Sequence, residues 1–315
     1  MITFTQTKPK QVYQRTPFLA RITHLVEYSC LRVLVACMRL LPRVITTAIV
    51  KHLSIFMYYI LPKRRKVAMK NLDIAFGDSL TREAKRKILH ANFCHIGLCF
   101  LELFNTPRIA KRAHECFEFE GMENAREALA KGHGIILVMS HLGSWEYLSF
   151  ISYLQNIPST IIGKTLRNPY MNRWIISMRQ AAHLETCSNT MGARTTIREL
   201  KKNHLVAMAI DQWGGNAEPW LDFFGTPAST TTLPARAAIK MQSALIPAFC
   251  IRTDSGKFKI ILKPIVPTIE NDKDRTVEEI TQELNGILEG MIRIYPEQWM
   301  WTHNRWKDKK YYKVA

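Results

Sequence analysis

Apolar positions along the chain follow two periods, and each predicts a different kind of element. From Ala20 to Leu41 the pattern is helical, and Pro42 is placed to stop it. At about 100° per residue, Arg21, Arg32, Arg39 and Arg43 fall within about 40° of one another. Leu25, Val26, Leu31, Val33, Leu34, Val35 and Met38 cover much of the remaining circumference. A second apolar stretch, Val44 to Leu61, is interrupted by Lys51 and His52 and ends in Lys63-Arg64-Arg65-Lys66. Thr81 to Phe104 again reads as a helix, with Ile88, Phe93, Ile96, Cys99 and Leu103 near one face.

Beyond that point short apolar runs alternate with helical ones. Gly134–Ser140, Leu205–Ile210, Leu245–Ile251 and Phe258–Leu262 read as strands, and the first three are apolar throughout, as in a sheet covered on both faces. Glu146–Gln155, Asn172–Ala182, Arg194–Lys202, Pro234–Ser243 and Arg275–Tyr295 read as helices. The alternation predicts an α/β fold: a central, mostly parallel or mixed sheet flanked by helices. No repeat or Gly/Ser/Pro linker breaks the chain after residue 72, so the expected division is a basic N-terminal helical segment, 1–72, and an α/β domain, 73–315.

Charge changes the picture more than composition does. The 315 residues carry 44 Lys and Arg against 26 Asp and Glu, a net +18. Residues 1–72 hold thirteen of the basic residues and one acid, Glu27, and the tail from His303 is basic again. An excess at the two ends points to anionic partners. A basic stripe on an apolar helix suits the membrane interface, and the basic run after Leu61 suits the cytoplasmic flank of a membrane segment. The same helices also fit a soluble protein whose stripes face water. Nucleic acid is disfavoured, because the cations are interleaved with long aliphatics and no nucleic-acid module is recognisable. Met1 to Pro17 lacks the apolar run of a secretory signal. Seven scattered cysteines without CxxC spacing argue against a disulfide framework or zinc site and fit a reducing compartment. No ligand cluster suggests a metal, and no cofactor is expected.

Candidate chemistry lies where the first long strand ends, in Ser140-His141-Leu142-Gly143-Ser144-Trp145-Glu146. Open α/β sheets place function just beyond their strand ends. With His141 on the loop and Glu146 in the first turn of the next helix, the carboxylate is able to turn back to the imidazole. It would accept from one ring nitrogen and leave the other as a base. Spacing alone is weak: His303 and Asp308 make a second pair of the same kind, and a structural loop histidine satisfies the first equally well.

These residues carry a resemblance. The block from Ser140 to Glu146 resembles the His-x4-Asp/Glu motif of the lysophospholipid acyltransferase superfamily, in particular the bacterial lipid A biosynthesis (late) lauroyl/myristoyl acyltransferases. Arg64-Arg65-Lys66-Val67-Ala68-Met69-Lys70-Asn71-Leu72 is similar to the family's basic stretch, and Asn168-Pro169 followed by Arg179 to its second block. Asp211-Gln212, Phe223-Phe224-Gly225, Pro234-Ala235 and Pro247-Ala248-Phe249 follow in family order, closed by Pro296-Glu297-Gln298-Trp299-Met300-Trp301-Thr302-His303-Asn304-Arg305-Trp306. Lys164 stands where the family pattern has an arginine, Trp213 stands where many members carry a second acid, and the N-terminal anchor is less clean than usual.

The resemblance implies transfer of a fatty acyl group from a thioester, on acyl carrier protein or coenzyme A, to a hydroxyl of an anionic lipid acceptor. The site would lie at the cytoplasmic face of the bacterial inner membrane. His141 would take the hydroxyl proton and Glu146 would orient the imidazole, so no cysteine nucleophile is needed. Arg179 and Lys164 would bind acceptor phosphate or the developing oxyanion, or else be solvated cations. Asp211 would be a second carboxylate at the site or a strand-end cap, with Gln212 beside it. Phe223, Phe224 and Gly225 would shape an acyl wall, and Arg305 completes the substrate-binding set. Trp299, Trp301 and Trp306 would sit either at the membrane interface or against the sheet. Competing readings are a lysophospholipid, glycerolipid or other glycolipid acyltransferase and, in another class, a non-catalytic basic membrane-binding protein.

Overall fold

The computed structural model describes residues 18–270 and 273–307. The reading of Met1 to Pro17 as lacking a secretory signal, and the second pair's Asp308, lie outside the described residues. Helix α1 (Phe18–Leu40) ends ahead of Pro42, α2 (Arg43–Ile60) follows, and α3 (Pro62–Phe76) begins with a proline at its first turn, where a missing N–H costs nothing. The chain bends by 90° between α2 and α3. Helix α4 (Arg82–Ala110) starts at Thr81, whose hydroxyl accepts from Ala84 N at 3.2 Å. It is the one helix among the described residues long and apolar enough by itself to cross a membrane, yet its Leu89, Phe93, Cys99, Leu103 and Phe104 are buried in the body of the protein.

A short helix α5 (Ala113–Cys116) leads to β1 (Phe117–Glu120), α6 (Met122–Ala130) and β2 (Ile135–Met139). Then come α7 (Phe150–Gln155), β3 (Ser159–Gly163), α8 (Pro169–Gln180), β4 (Leu184–Ser188), α9 (Gly192–Leu200) and β5 (Leu205–Ala209). A hairpin, β6 (Trp220–Phe223) with β7 (Thr226–Ser229), precedes α10 (Leu233–Met241), β8 (Ala244–Arg252) and β9 (Phe258–Leu262). Two-residue strands β10 (Ile269–Glu270) and β11 (Lys273–Asp274) pair before α11 (Val277–Ile294).

The main sheet runs β1-β9-β8-β2-β5-β3-β4, parallel at every pairing except β8 with β9. Central strand β2 is buried at all five positions. Its Ile136 and Val138 enter one core with Leu72, Leu89, Phe93 and the buried Trp299, Trp301 and Trp306. Ile135, Leu137 and Met139 enter the other, with Phe117, Phe150 and Ala125. Period-2 alternation with both faces covered is the reason these strands read as unbroken apolar runs. The three tryptophans therefore pack rather than sit at an interface.

The expected boundary at residue 72 falls inside α3, whose Ala68, Asn71 and Leu72 are fully buried. Asn71 Nδ2 donates to Trp301 O at 2.8 Å and to His303 O at 2.6 Å, so α3 belongs to the body that carries the sheet. Helices α1 and α2 differ. Most of the large apolar side chains exposed among the described residues lie on them, including Phe18, Val33, Leu40, Val44, Phe56 and Tyr59.

Candidate active site

Strands β2 and β5 are neighbours in parallel register, with Ile135 opposite Leu205 and Met139 opposite Ala209. The same offset, carried two residues past the strand ends, sets His141 beside Asp211. Register therefore brings together two residues seventy positions apart. Asp211 is 2% exposed and fully engaged. His141 N–H donates to Oδ2 at 2.7 Å, the indole Nε1 of Trp299 donates to the same oxygen at 2.9 Å, and His141 Nδ1 lies 2.9 Å from Oδ1. A buried carboxylate facing Nδ1 fixes the proton there and leaves Nε2 as the basic nitrogen. The Gln212 carboxamide nitrogen lies 3.3 Å from Nε2. Burial works to lower the imidazole pKa, but the charge and hydrogen bond of Asp211 outweigh it, and the pKa rises above its ordinary value. Burial likewise works to raise Asp211, and the imidazole holds it down.

Glu146 does not make the contact expected of it. The chain turns at Gly143, whose φ of +66° and contact with Cys250 O leave no room for a Cβ, and then enters a 3₁₀ turn, Trp145–Ser149, instead of an α-helix. Glu146 there forms a bidentate pair with Arg179 from the last turn of α8, Oε2 to Nε at 2.8 Å and Oε1 to Nη2 at 2.7 Å. Both side chains are largely buried. Burial lowers the Arg179 pKa, and Glu146 overcomes it, so the net shift is upward. The third guanidinium nitrogen, Nη1, is left toward Gly163 at the end of β3. The residue that orients His141 is thus Asp211, reached through sheet register, while the nearby acid in sequence is committed to an arginine.

Other expected site residues separate into two groups. Lys164 is exposed just beyond β3, adjoining the Arg179 end of the site. Phe223, Phe224 and Gly225 are not an open acyl wall: Phe224 (φ 55°) and Gly225 (φ 69°) make the two-residue turn of the β6–β7 hairpin, and Phe223 is fully buried 5.8 Å from the Trp299 ring. Arg305 is also fully buried, which excludes direct substrate contact. Its Nη1 donates to Gln212 O at 2.9 Å and to Ser229 O, and Nη2 to Thr230 Oγ1 at 2.6 Å. Burial lowers its pKa to about 10. Arg305 fixes the chain immediately after Asp211.

Of the strap from Pro296 to Trp306, sequence reasoning placed only Arg305 in the site. Gly143 N donates to Gln298 O at 2.9 Å and Met300 N to His141 O at 3.0 Å, forming a bridge at Leu142 and Trp299. Asn92 of α4 holds the strap from behind, donating to Glu297 O at 2.9 Å and Trp299 O at 2.5 Å. His303, on the same strap, accepts from Trp213 N at 3.3 Å, and burial above all lowers its pKa to about 4. The Glu102–Arg252 pair lies behind the loop: Arg252 binds both Glu102 oxygens at 2.8 Å and His95 Nδ1 at 2.7 Å. Glu102 accepts from Ser144 Oγ at 2.8 Å, and His95 Nε2 lies 3.2 Å from Gly143 O. Among the described residues no group of His, Cys, Asp and Glu is arranged to hold a metal.

A histidine base backed by a buried carboxylate, with an arginine beside it, can deprotonate a hydroxyl and stabilise an oxyanion. The chain is similar to known acyltransferases. The lipid A biosynthesis lauroyltransferase of Escherichia coli K12 is 26% identical over 255 residues, covering 78% of this chain and 80% of that one. The lipid A biosynthesis palmitoleoyltransferase of the same organism is 23% identical over 79% of this chain and 80% of its own. A phosphatidylinositol mannoside acyltransferase of Mycobacterium tuberculosis is 23% identical over 59% of this chain and 58% of its own. The family model for bacterial lipid A biosynthesis acyltransferases matches residues 15–308, from the start of α1 through the strap that closes over His141 and Asp211, and the chain belongs to that family of acyltransferases.

Proposed function

We propose that this acyltransferase moves a fatty acyl chain from a thioester, most simply acyl carrier protein, to a hydroxyl of a lipid A precursor at the cytoplasmic face of the inner membrane. His141 Nε2 takes the proton from the acceptor hydroxyl. The freed oxygen attacks the thioester carbonyl, and the tetrahedral oxyanion is met by Arg179 and, further out, Lys164. Collapse expels the thiolate, which recovers the proton from the imidazolium, leaving an ester and a free thiol. Asp211 holds the imidazole in the productive tautomer and stabilises its charged form. Glu146 holds the Arg179 guanidinium in place. The cysteines take no part; Cys99 and Cys250 are buried, which pushes their thiols above the ordinary pKa.

The observation that carries this reading is the 2.9 Å contact of His141 Nδ1 with the buried Asp211, which leaves the opposite ring nitrogen for substrate. Membrane attachment is supported by the exposed apolar side chains of α1 and α2, among them Val44, Ile45, Ile49, Leu53 and Phe56, which border one apolar groove. These two helices, rather than residues up to 72, form the proposed membrane-associating segment. A second acceptor class is kept in view by the mycobacterial relative, whose name places its acyl chain on a phosphatidylinositol mannoside.

The test is acyl transfer by detergent-solubilised wild type and by His141→Ala, Asp211→Asn and Glu146→Gln. Donors are the carrier-protein and coenzyme A thioesters; acceptors are a late lipid A precursor, a phosphatidylinositol mannoside and a lysophospholipid. One acyl chain added to the lipid A precursor, and a loss of about 10²–10⁴-fold in His141→Ala, is the expected result. Transfer to another acceptor alone would replace the substrate. Full activity in His141→Ala would remove the base.

A further inference from the structure

Two arginines of the basic stripe on α1 pack against neighbouring helices, although Arg32, like Arg21, stays exposed. Arg39 Nη2 donates to Phe104 O of α4, and Arg108 Nη1 donates back to Arg39 O at 2.9 Å. The Arg32 guanidinium carbon lies 5.1 Å from the Trp174 ring centre and 5.8 Å from that of Tyr28. Across a cleft of about 280 Å³, Arg173 of α8 lies 5.2 Å over Tyr170, and Tyr28 and Tyr170 meet at 5.9 Å. Two guanidinium groups are thus held over one continuous aromatic floor, Tyr28, Tyr170 and Trp174.

No ion pair is formed by Arg32, Arg39, Arg108 or Arg173 among the described residues. The one acid on α1, Glu27, is hydrogen-bonded by the neutral Asn168 amide at 3.0 Å and forms no ion pair with them, and Glu102 of α4 is taken by Arg252. Burial, then repulsion from Arg108 and Arg32, lowers the Arg39 pKa. A concentration of like charge that the fold does not neutralise is relieved by an anion.

Position says what kind of anion. On a helical projection at about 100° per residue, Arg32 stands between the buried side of α1, centred near Val35, and the side bearing exposed Ile22, Val26, Val33 and Leu40. A headgroup at the edge of an acyl layer meets that boundary. Arginine pairs well with phosphate because its fork of donors matches two oxygens at once.

We propose that the cleft between α1 and α8, lined by Arg32 and Arg173, binds the phosphate of an anionic lipid whose chains lie along the uncovered side of α1. The lipid origin rests on the membrane reading above; the phosphate chemistry does not. Neither arginine touches His141 or Asp211, so the test is independent of catalysis. Flotation is measured with neutral glycolipid vesicles doped with phosphatidic acid or with oleate, matched in surface potential. The proteins are wild type, Arg32→Gln/Arg173→Gln, and Lys131→Gln/Lys201→Gln, which removes the same charge at exposed positions elsewhere. Wild type is expected to prefer phosphatidic acid. The arginine variant loses about tenfold on those vesicles, with oleate binding and thermal melting little changed. Equal losses on both vesicle types, or equal losses in the lysine variant, would reduce the site to diffuse charge and overturn it. Titration by inorganic phosphate with no preference among vesicles would overturn the lipid source. Wild type indifferent to every vesicle would remove the membrane reading and the lipid source together, leaving acyl transfer to detergent-dispersed acceptor untouched.

Discussion

His141 is raised in pKa because Asp211 overcomes burial, and the sign of that balance makes a direct prediction. The proposed base works only when neutral, so kcat/KM should fall as pH drops through a midpoint above the ordinary histidine value of 6.5. In Asp211→Asn the opposing charge is gone and burial remains, so the midpoint moves below 6.5 while the plateau falls, by about 10²–10⁴-fold. Glu146→Gln should leave the midpoint closer to wild type and lower the plateau, because its principal contact is Arg179. A pH–rate profile of the three proteins separates these outcomes. Trp299→Phe removes one donor to Asp211 Oδ2 and leaves the carboxylate charge less shared. The expected result is a midpoint shifted upward and a stability loss of about 1.5–3 kcal/mol for one lost hydrogen bond to a charged acceptor, read by pH profile and denaturant melt.

At the scale of elements, the loop from His141 to Glu146 is clamped on two sides. The strap bonds its backbone at His141 and Gly143, and the Glu102–Arg252 pair holds Ser144 and, through His95, Gly143 O. Arg252→Met would strand a largely buried Glu102. It should cost about 3–5 kcal/mol and lower kcat in the fraction that stays folded, whereas replacing both partners with apolar residues should cost less. Denaturant melts of Arg252→Met and Arg252→Met/Glu102→Leu check the difference. The long elements were legible because burial repeats at one period: β9 spans the expected Phe258–Leu262, and α4 begins beside the capping Thr81. The strands β1, β3 and β4 were not, since Phe117-Glu118-Phe119-Glu120 and Leu184-Glu185-Thr186-Cys187-Ser188 sit at or near sheet edges, are short and carry polar residues. His141, Asp211 and Arg179 were legible as candidate site residues. Their pairing was not, because sequence proximity favours Glu146, whereas the partner that wins is set by the register of β2 with β5.

Across the whole molecule the same tension between local pattern and tertiary contact decides where the charge goes. The stripe on α1 suggests cations turned toward headgroups and aliphatics turned inward. Packing changes part of that: Arg39 and the still exposed Arg32 contact α4 and α8, while many large apolar side chains of α1 and α2 remain uncovered. An arginine held against aromatic rings keeps its packing, and the exposed aliphatics are left for the proposed membrane attachment. With that arrangement, attachment should depend more on apolar area than on salt. Ile49→Ser/Phe56→Ser removes two side chains, 42% and 56% exposed, that support nothing in the core. The double substitution should therefore leave the melting temperature within about a degree or two of wild type. Partitioning to vesicles should fall by about tenfold or more, because each large apolar side chain withdrawn from the acyl layer forfeits about 1.5–3 kcal/mol when fully buried there. Raising the salt concentration should weaken wild-type binding to anionic vesicles only in part, with the remainder carried by the apolar face. Vesicle binding abolished by salt alone, and unchanged in Ile49→Ser/Phe56→Ser, would make the attachment electrostatic and assign the uncovered faces of α1 and α2 to a protein partner instead.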